Sequence, residues 1–143
     1  MEHVAIMKKS WGLLPKILDR RKKIESRWYK YKHCPWGKIF AGDVVYFKNS
    51  GEPIYAMADI EKVISFSELT PVKVRQILEK YGKMDGIEKK KIQQFFKLFR
   101  DKKYCLLIFL KNPREIMPFE INKKGFGMMS AWVTLEDINK IMI

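Results

Sequence analysis

The stretch ILDRRKKIESR, residues 17–27, decides how this chain reads. Ile17 and Leu18 close a set of apolar residues at helical spacing that begins with Trp11 and Leu14. From Lys23 the pattern changes to alternation, with Ile24, Ser26 and Trp28 on one side and Lys23, Glu25, Arg27 and Tyr29 on the other. A helix thus turns into a strand through a basic corner, and charged side chains arrive on one strand face. Two readings of that face stand. Glu25 and Arg27 form a solvated ion pair worth about 0 to 1 kcal/mol. Alternatively they floor a cleft, where Arg27 grips a phosphate or base edge with paired donors and Glu25 accepts from a base amino group or holds Arg27 in place.

Outward from this stretch, the chain alternates short strands with a few helices. His3 to Met7 reads as a strand, and Ser10 as the N-cap of a helix that becomes regular near Leu14, since Pro15 suits a first turn. Pro35 and Gly37 mark a loop, and Ala41-Gly42-Asp43 a turn into a strand from Val44 to Lys48. Asn49-Ser50-Gly51 is the next turn, followed by one long or two short strands from Ile54 to Phe66. Thr70 caps a helix with Pro71 in its first turn and Gly82 at its end, and a second helix runs from about Ile87 to Phe99. Tyr104 to Lys111 is a buried strand that Pro113 ends, and Arg114 to Ile121 holds another, broken by Pro118. Gly125-Phe126-Gly127 turns into an apolar segment from Met128 to Val133, and Thr134 caps a last short helix with Asp137. This order predicts an α+β fold: a small, partly closed mixed β-barrel with helices at its ends. The helical pair at about 70–100 is inserted into a single domain covering residues 1–143.

Twenty-nine lysines and arginines against sixteen acids give a net charge of +13, which draws polyanions by Coulomb attraction and counterion release. Lysine-rich composition also follows from life at high temperature, so charge alone does not name the partner. No run of about 18 apolar residues is present, so no membrane span is expected. The N-terminus lacks a signal-peptide pattern. With only Cys34 and Cys105, free thiols, a cytoplasmic location and a monomer are expected.

Within the opening stretch, Arg20, Lys22, Glu25 and Arg27 have the spacing of G-x-K-x-x-E-x-R, with arginine in the place of the glycine. In this the chain resembles the ASCH domains, a branch of the PUA-like superfamily, in a longer prokaryotic or archaeal variety. Gly42-Asp43 before Val44-Val45-Tyr46-Phe47 is similar to a second family turn. The resemblance is close over residues 1 to about 66 and looser beyond. It implies a β-barrel with a cleft between barrel and first helix, and RNA bound there. Some members hydrolyse the acetyl group of N4-acetylcytidine and others are described as ribonucleases. In the deacetylating members a lysine stands at the Lys22 position, a threonine where this chain has Glu25, and a glutamate later, for which Glu88 is the candidate here. A lysine works as a base only when burial or cationic neighbours lower its pKa substantially.

Aromatic residues beside cations suit stacked, unpaired bases, which brings in Trp11 and Trp36, and Trp132 from the C-terminal half, while Trp28 belongs to the core face. The turn at Lys48 and Ser50 offers a free backbone to a phosphate. The segment from Gly125 to Trp132 is expected to line the same cleft. Lys89 to Lys91 form a helix face that extends a phosphate track or is simply solvated. His33 and Cys34 lack the further ligands a metal needs, and no cofactor fingerprint is present. The sequence thus predicts a module that holds RNA or a nucleotide in a basic cleft. Its residues are Lys22, Glu25, Arg27, Trp11, Lys23, Lys48, Ser50 and Trp132, with no metal and no cofactor. The alternative is a small amidohydrolase or ribonuclease with Lys22 and Glu25 as catalytic candidates.

Overall fold

The structure, a computed structural model, describes residues 1–127 and 129–143. Its strands are β1 (Glu2–Met7), β2 (Ile24–Tyr29), β3 (Val44–Asn49), β4 (Ile54–Phe66), β5 (Tyr104–Phe119) and β6 (Trp132–Leu135). They make one mixed sheet in the order β2-β5-β4-β3-β1-β6. Helices α1 (Leu13–Leu18), α2 (Pro71–Tyr81) and α3 (Ile92–Phe99) complete the fold. β1 and β3 run parallel and the other neighbours antiparallel. A parallel pair needs a crossover, and this one carries α1 and β2. The α+β class and the partly closed barrel predicted from the sequence are what forms: the sheet curls into a half-barrel with β2 and β6 as its free edges.

Both faces of the sheet are covered around β5. Leu106 and Ile108 join Ala5, Val45, Phe47 and Ala58 in a core closed by Leu14 and Ile17 of α1. Cys105, Leu107 and Phe109 face the other way, against Val74, Ile77 and Leu78 of α2 and Phe95 of α3. Burial on both sides is why residues 104–110 read as an unbroken apolar run rather than an alternating one. The helical pair therefore builds a second core, and its connecting loop reaches β2.

Several expected boundaries move. Pro113 and Pro118 do not divide two strands, because β5 is continuous from Tyr104 to Phe119. β2 pairs with β5 only as far as Phe109, so the rest of β5 has β4 on one side alone, where a missing N–H is tolerated. A register shift between Met57 and Asp59, opposite Pro113, absorbs the irregularity. Thr134 is not a helix cap but a residue of β6 paired with His3. Asp137 caps the short 3-10 turn Ile138–Lys140 by accepting from the Asn139 N–H. Ser10 lies in a 3-10 turn, and α1 begins after Gly12, whose φ of +62° few other residues would adopt. Residues 89–91 form a separate 3-10 turn, and α3 starts only at Ile92.

Candidate functional site

The basic corner after α1 turns at Arg20, whose φ of +69° lies in the left-handed region that a β-carbon disfavours. This is the position where the G-x-K-x-x-E-x-R pattern has glycine, so the turn itself accounts for that glycine. The Lys22 N–H then donates to the Lys16 carbonyl at 2.9 Å, and the Lys22 side chain runs into the protein, only 1% exposed. Its Nζ donates to the Asp85 carbonyl at 2.7 Å, to the Asp85 carboxylate, and pairs with Glu25 Oε1 at 3.2 Å. Glu25 Oε2 accepts from Arg27 Nη2 at 2.8 Å. The second oxygen of Asp85 accepts from the Ser26 hydroxyl at 2.5 Å, which itself accepts from Trp28 Nε1 at 3.0 Å.

Asp85, absent from the sequence reading, comes from the loop between α2 and α3. The N–H groups of Lys23 and Ile24 hold that loop through the Met84 carbonyl at 2.6 and 3.0 Å, and Lys16 Nζ holds the Gly86 carbonyl at 3.1 Å. Gly86 has φ +79°, and a β-carbon there would stand 3.1 Å from the Lys22 β-carbon. Only glycine lets the loop close over Lys22 without displacing it. Glu88, the expected later carboxylate, is instead exposed and paired with Lys90 at 3.5 Å. In sequence Met84-Asp85-Gly86 signals a turn and nothing more, and the separation of 63 residues from Lys22 hides the contact.

Burial overturns the surface ion-pair reading, for the Lys22, Glu25 and Asp85 side chains are 1, 5 and 6% exposed. Burial works to lower the Lys22 pKa, but the carboxylates of Asp85 and Glu25 outweigh it and hold the ammonium above the usual lysine value. Burial works to raise Glu25, and Lys22 with Arg27 pull it below the usual carboxylate range. Asp85 is raised, by burial first and by the neighbouring Glu25 charge, against the pull of Lys22. Lys22 is thus charged near neutral pH and lacks the lowered pKa that a lysine base requires.

Arg27 closes the half-barrel. It lies on edge strand β2 and reaches across the open seam to the Ala131 carbonyl at 3.3 Å and the Ile6 carbonyl at 3.4 Å. Its guanidinium lies 5.0 Å from the centre of the Trp132 ring. Its Nε is buried with no hydrogen-bond acceptor among the described residues. Beside it opens a cleft of about 260 Å³ with Lys22, Glu25, Ser26, Arg27 and Asp85 at its polar end. Met7, Trp11, Leu13, Trp28, Phe95 and Phe99 supply apolar wall. Trp11 is 38% exposed and meets Phe95 edge-on at 5.4 Å, while Trp28 stacks flat on Phe99 at 4.8 Å.

The structure therefore brings Lys22, Glu25, Arg27 and Trp11 together, with Trp132 buried behind Arg27. The cleft is less basic than expected, since two buried carboxylates balance buried Lys22 and partly buried Arg27, and Lys8 stands exposed among its lining residues. Lys23 is exposed, with its backbone on the Asp85 loop. Lys48 and Ser50 are not among the lining residues. Lys48 is buried on β3 near enough to Lys123 to lower that amine's pKa, after burial, and Ser50 is exposed with its N–H on the Met7 carbonyl. Trp36 packs edge-on against Tyr104 outside the cleft. Of the C-terminal segment only Ala131 lines the cleft; Gly125 and Gly127 belong to a different pocket, and Met128 lies outside the described residues.

No family model matches the chain, and no curated protein matches it by sequence. Solved structures do match. A variant of the ASCH protein from Zymomonas mobilis superposes with a TM-score of 0.69 at 13% identity, covering 97% of this chain and 93% of that one. The unmodified protein gives a TM-score of 0.66 at the same identity, covering 94% and 87%. The chain has the ASCH fold. The N-terminal domain of Staphylothermus marinus McrB is also similar, with a TM-score of 0.52 at 16% identity, covering 83% of this ASCH-like chain and 76% of that domain. At such identities the likeness concerns the backbone, and the site must be argued from its own residues. Among the described residues no helix is long and apolar enough to cross a membrane.

Proposed function

We propose that this protein is a nucleic-acid-binding module, for RNA in the first instance, that takes one unpaired base into the cleft beside Arg27. The observation that carries the reading is the cleft itself, with Lys22, Glu25, Ser26, Arg27 and Asp85 at its polar end and aromatic rings along its walls. The polar side chains at that end offer hydrogen bonds that a base edge can meet. Aromatic and apolar walls around a polar end are how proteins hold an extruded base, by its faces and by its hydrogen-bonding edge. The volume falls near the lower end of small-molecule sites, about 300–1,000 Å³, which suits a base and excludes a duplex. The excess of cations supplies long-range attraction. PUA-like folds are widely nucleic-acid binders, which agrees with this reading. Hydrolysis fits less well, because Lys22 is charged and tied to two carboxylates and Glu25 replaces the threonine that the resemblance would require.

The test is titration of a single-stranded ribo-oligonucleotide, with a DNA oligonucleotide and heparin as comparisons. Trp11→Ala, at a half-exposed wall, is expected to weaken RNA binding by about tenfold or more with little change in Tm. Arg27→Ala should abolish retention at moderate salt while circular dichroism shows the fold intact. Equal affinity in wild type and both variants, or equal binding to heparin, would sink the reading. Acetate release from N4-acetylcytidine that Lys22→Ala abolishes would replace it with the hydrolase reading.

A further inference from the structure

A second pocket adjoins the cleft on the other side of Arg27. It encloses about 290 Å³ and is walled by Tyr29, His33, Cys34, Ser130 and Trp132, with Arg27 and Ala131 shared between the two. The pockets differ in charge. Glu25 and Asp85 stand in the cleft, whereas no carboxylate is among the described residues lining the second pocket. At the end of the cleft Glu25 and Asp85 already take up the charge of Lys22, so a phosphate pressed there finds a neutralised cation flanked by acids. In the second pocket it meets the Arg27 guanidinium and the His33 imidazole, and no acid. Arg27 is suited to divide the two. Glu25 holds it from the cleft side at 2.8 Å, while its contacts to the Ala131 and Ile6 carbonyls, at 3.3 and 3.4 Å, are long enough to yield to a better acceptor. Tyr29 and His33, with ring centres 5.9 Å apart and planes at 50°, give the second pocket aromatic surface for a further base.

We infer that the second pocket is a subsite for the phosphate and adjoining nucleotide of a single strand whose base occupies the cleft, with the linking phosphate at Arg27. The site then takes a dinucleotide step rather than a lone nucleoside. This inference rests on the reading of the cleft as a base site, and its test separates the two.

The four ribonucleosides and a panel of dinucleoside monophosphates are titrated calorimetrically into the full chain. The best dinucleoside monophosphate is expected to bind about tenfold or more tightly than the better of its two nucleosides, as one charge-assisted contact and one stacked base would give. That advantage, unlike nucleoside binding, shrinks as salt is raised. N-ethylmaleimide provides a plug for the second pocket, because Cys34 is exposed there while Cys105 is buried with its thiol pushed well up by burial. Alkylation should remove the advantage and spare nucleoside affinity, and Cys34→Ser should keep the advantage after the same treatment. His33→Ala, made without a reagent, should lower the advantage several-fold. Dinucleoside monophosphates that bind no better than nucleosides, or an advantage that survives alkylation undiminished, would overturn the subsite and leave the cleft reading standing. If neither nucleosides nor dinucleoside monophosphates bind, the cleft reading falls and the subsite with it.

Discussion

Lys22 and Arg27 differ from Arg20, Arg21 and Lys23 in surroundings, not in charge. The first pair point inward, where each cation touches a buried carboxylate and the network Asp85–Lys22–Glu25–Arg27 is neutral in sum. The other three stand in solvent on the corner, and Arg21 pairs there with exposed Asp19. The inner group fixes shape, by tying β2 to the Asp85 loop and by spanning the barrel seam. The outer group contributes field, which attracts a polyanion from a distance and is screened by salt. One basic run thus supplies both the scaffold of the site and its long-range attraction.

The sharpest way to break this contrast is to remove a cation from the inner group. Lys22→Met leaves Glu25 and Asp85 buried with one cation fewer, and should cost about 3–5 kcal/mol in urea unfolding. Lys22→Met combined with Asp85→Leu removes the pair together and should recover part of that loss; a double variant no more stable than the single would show that Asp85 is not the critical partner. The outer group should behave in the opposite manner. Arg21→Ala and Lys23→Ala should leave the unfolding midpoint in place, but lower the slope of log affinity against log salt by up to about 1 for each residue that meets a phosphate.

A third test follows the inner group past Trp132 to His3. The Trp132 Nε1–H donates to His3 Nδ1 at 3.1 Å, and His3 Nε2 bonds Asp43 at 2.9 Å. Burial lowers the His3 pKa below its usual 6.5 despite Asp43. A depressed folded-state pKa gives stability that is complete above the unfolded value and is lost as pH falls toward the folded one. Unfolding free energy should therefore decline below about pH 6.5, and His3→Gln should flatten that part of the profile whatever it does to stability at neutral pH. An unchanged slope in the variant would rule His3 out as its source. The smallest effect belongs to the corner itself. Arg20→Gly removes a β-carbon from a left-handed residue and should stabilise by up to about 1 kcal/mol, read as a rise in Tm.

The local signals in the sequence were largely sound. Thr70 and Pro71 begin α2 as their chemistry requires, and the alternation from Ile24 to Tyr29 assigns β2 and its two faces correctly. The spacing of Lys22, Glu25 and Arg27 selects the residues that meet at the cleft. Proline misled at β5, because a missing N–H matters only where a neighbouring strand needs it, and β2 ends before Pro113. Turn composition at Lys48 and Ser50 says nothing of where the turn lies, and neither residue lines the cleft.

By itself, then, the sequence determined the α+β class, the basic charge and the three motif residues, because periodicity, charge and spacing act over a few neighbouring residues. Tertiary structure alone decided that Lys22 and Glu25 are buried and that Asp85 neutralises Lys22 from 63 residues away. It also decided that Arg27 bridges the two ends of the curled sheet between two pockets. Those outcomes depend on how far the sheet curls and where the loop between α2 and α3 lands, which are set by packing against β5 and by the glycine at residue 86. No stretch of chain short enough to show a pattern contains both partners of such a contact.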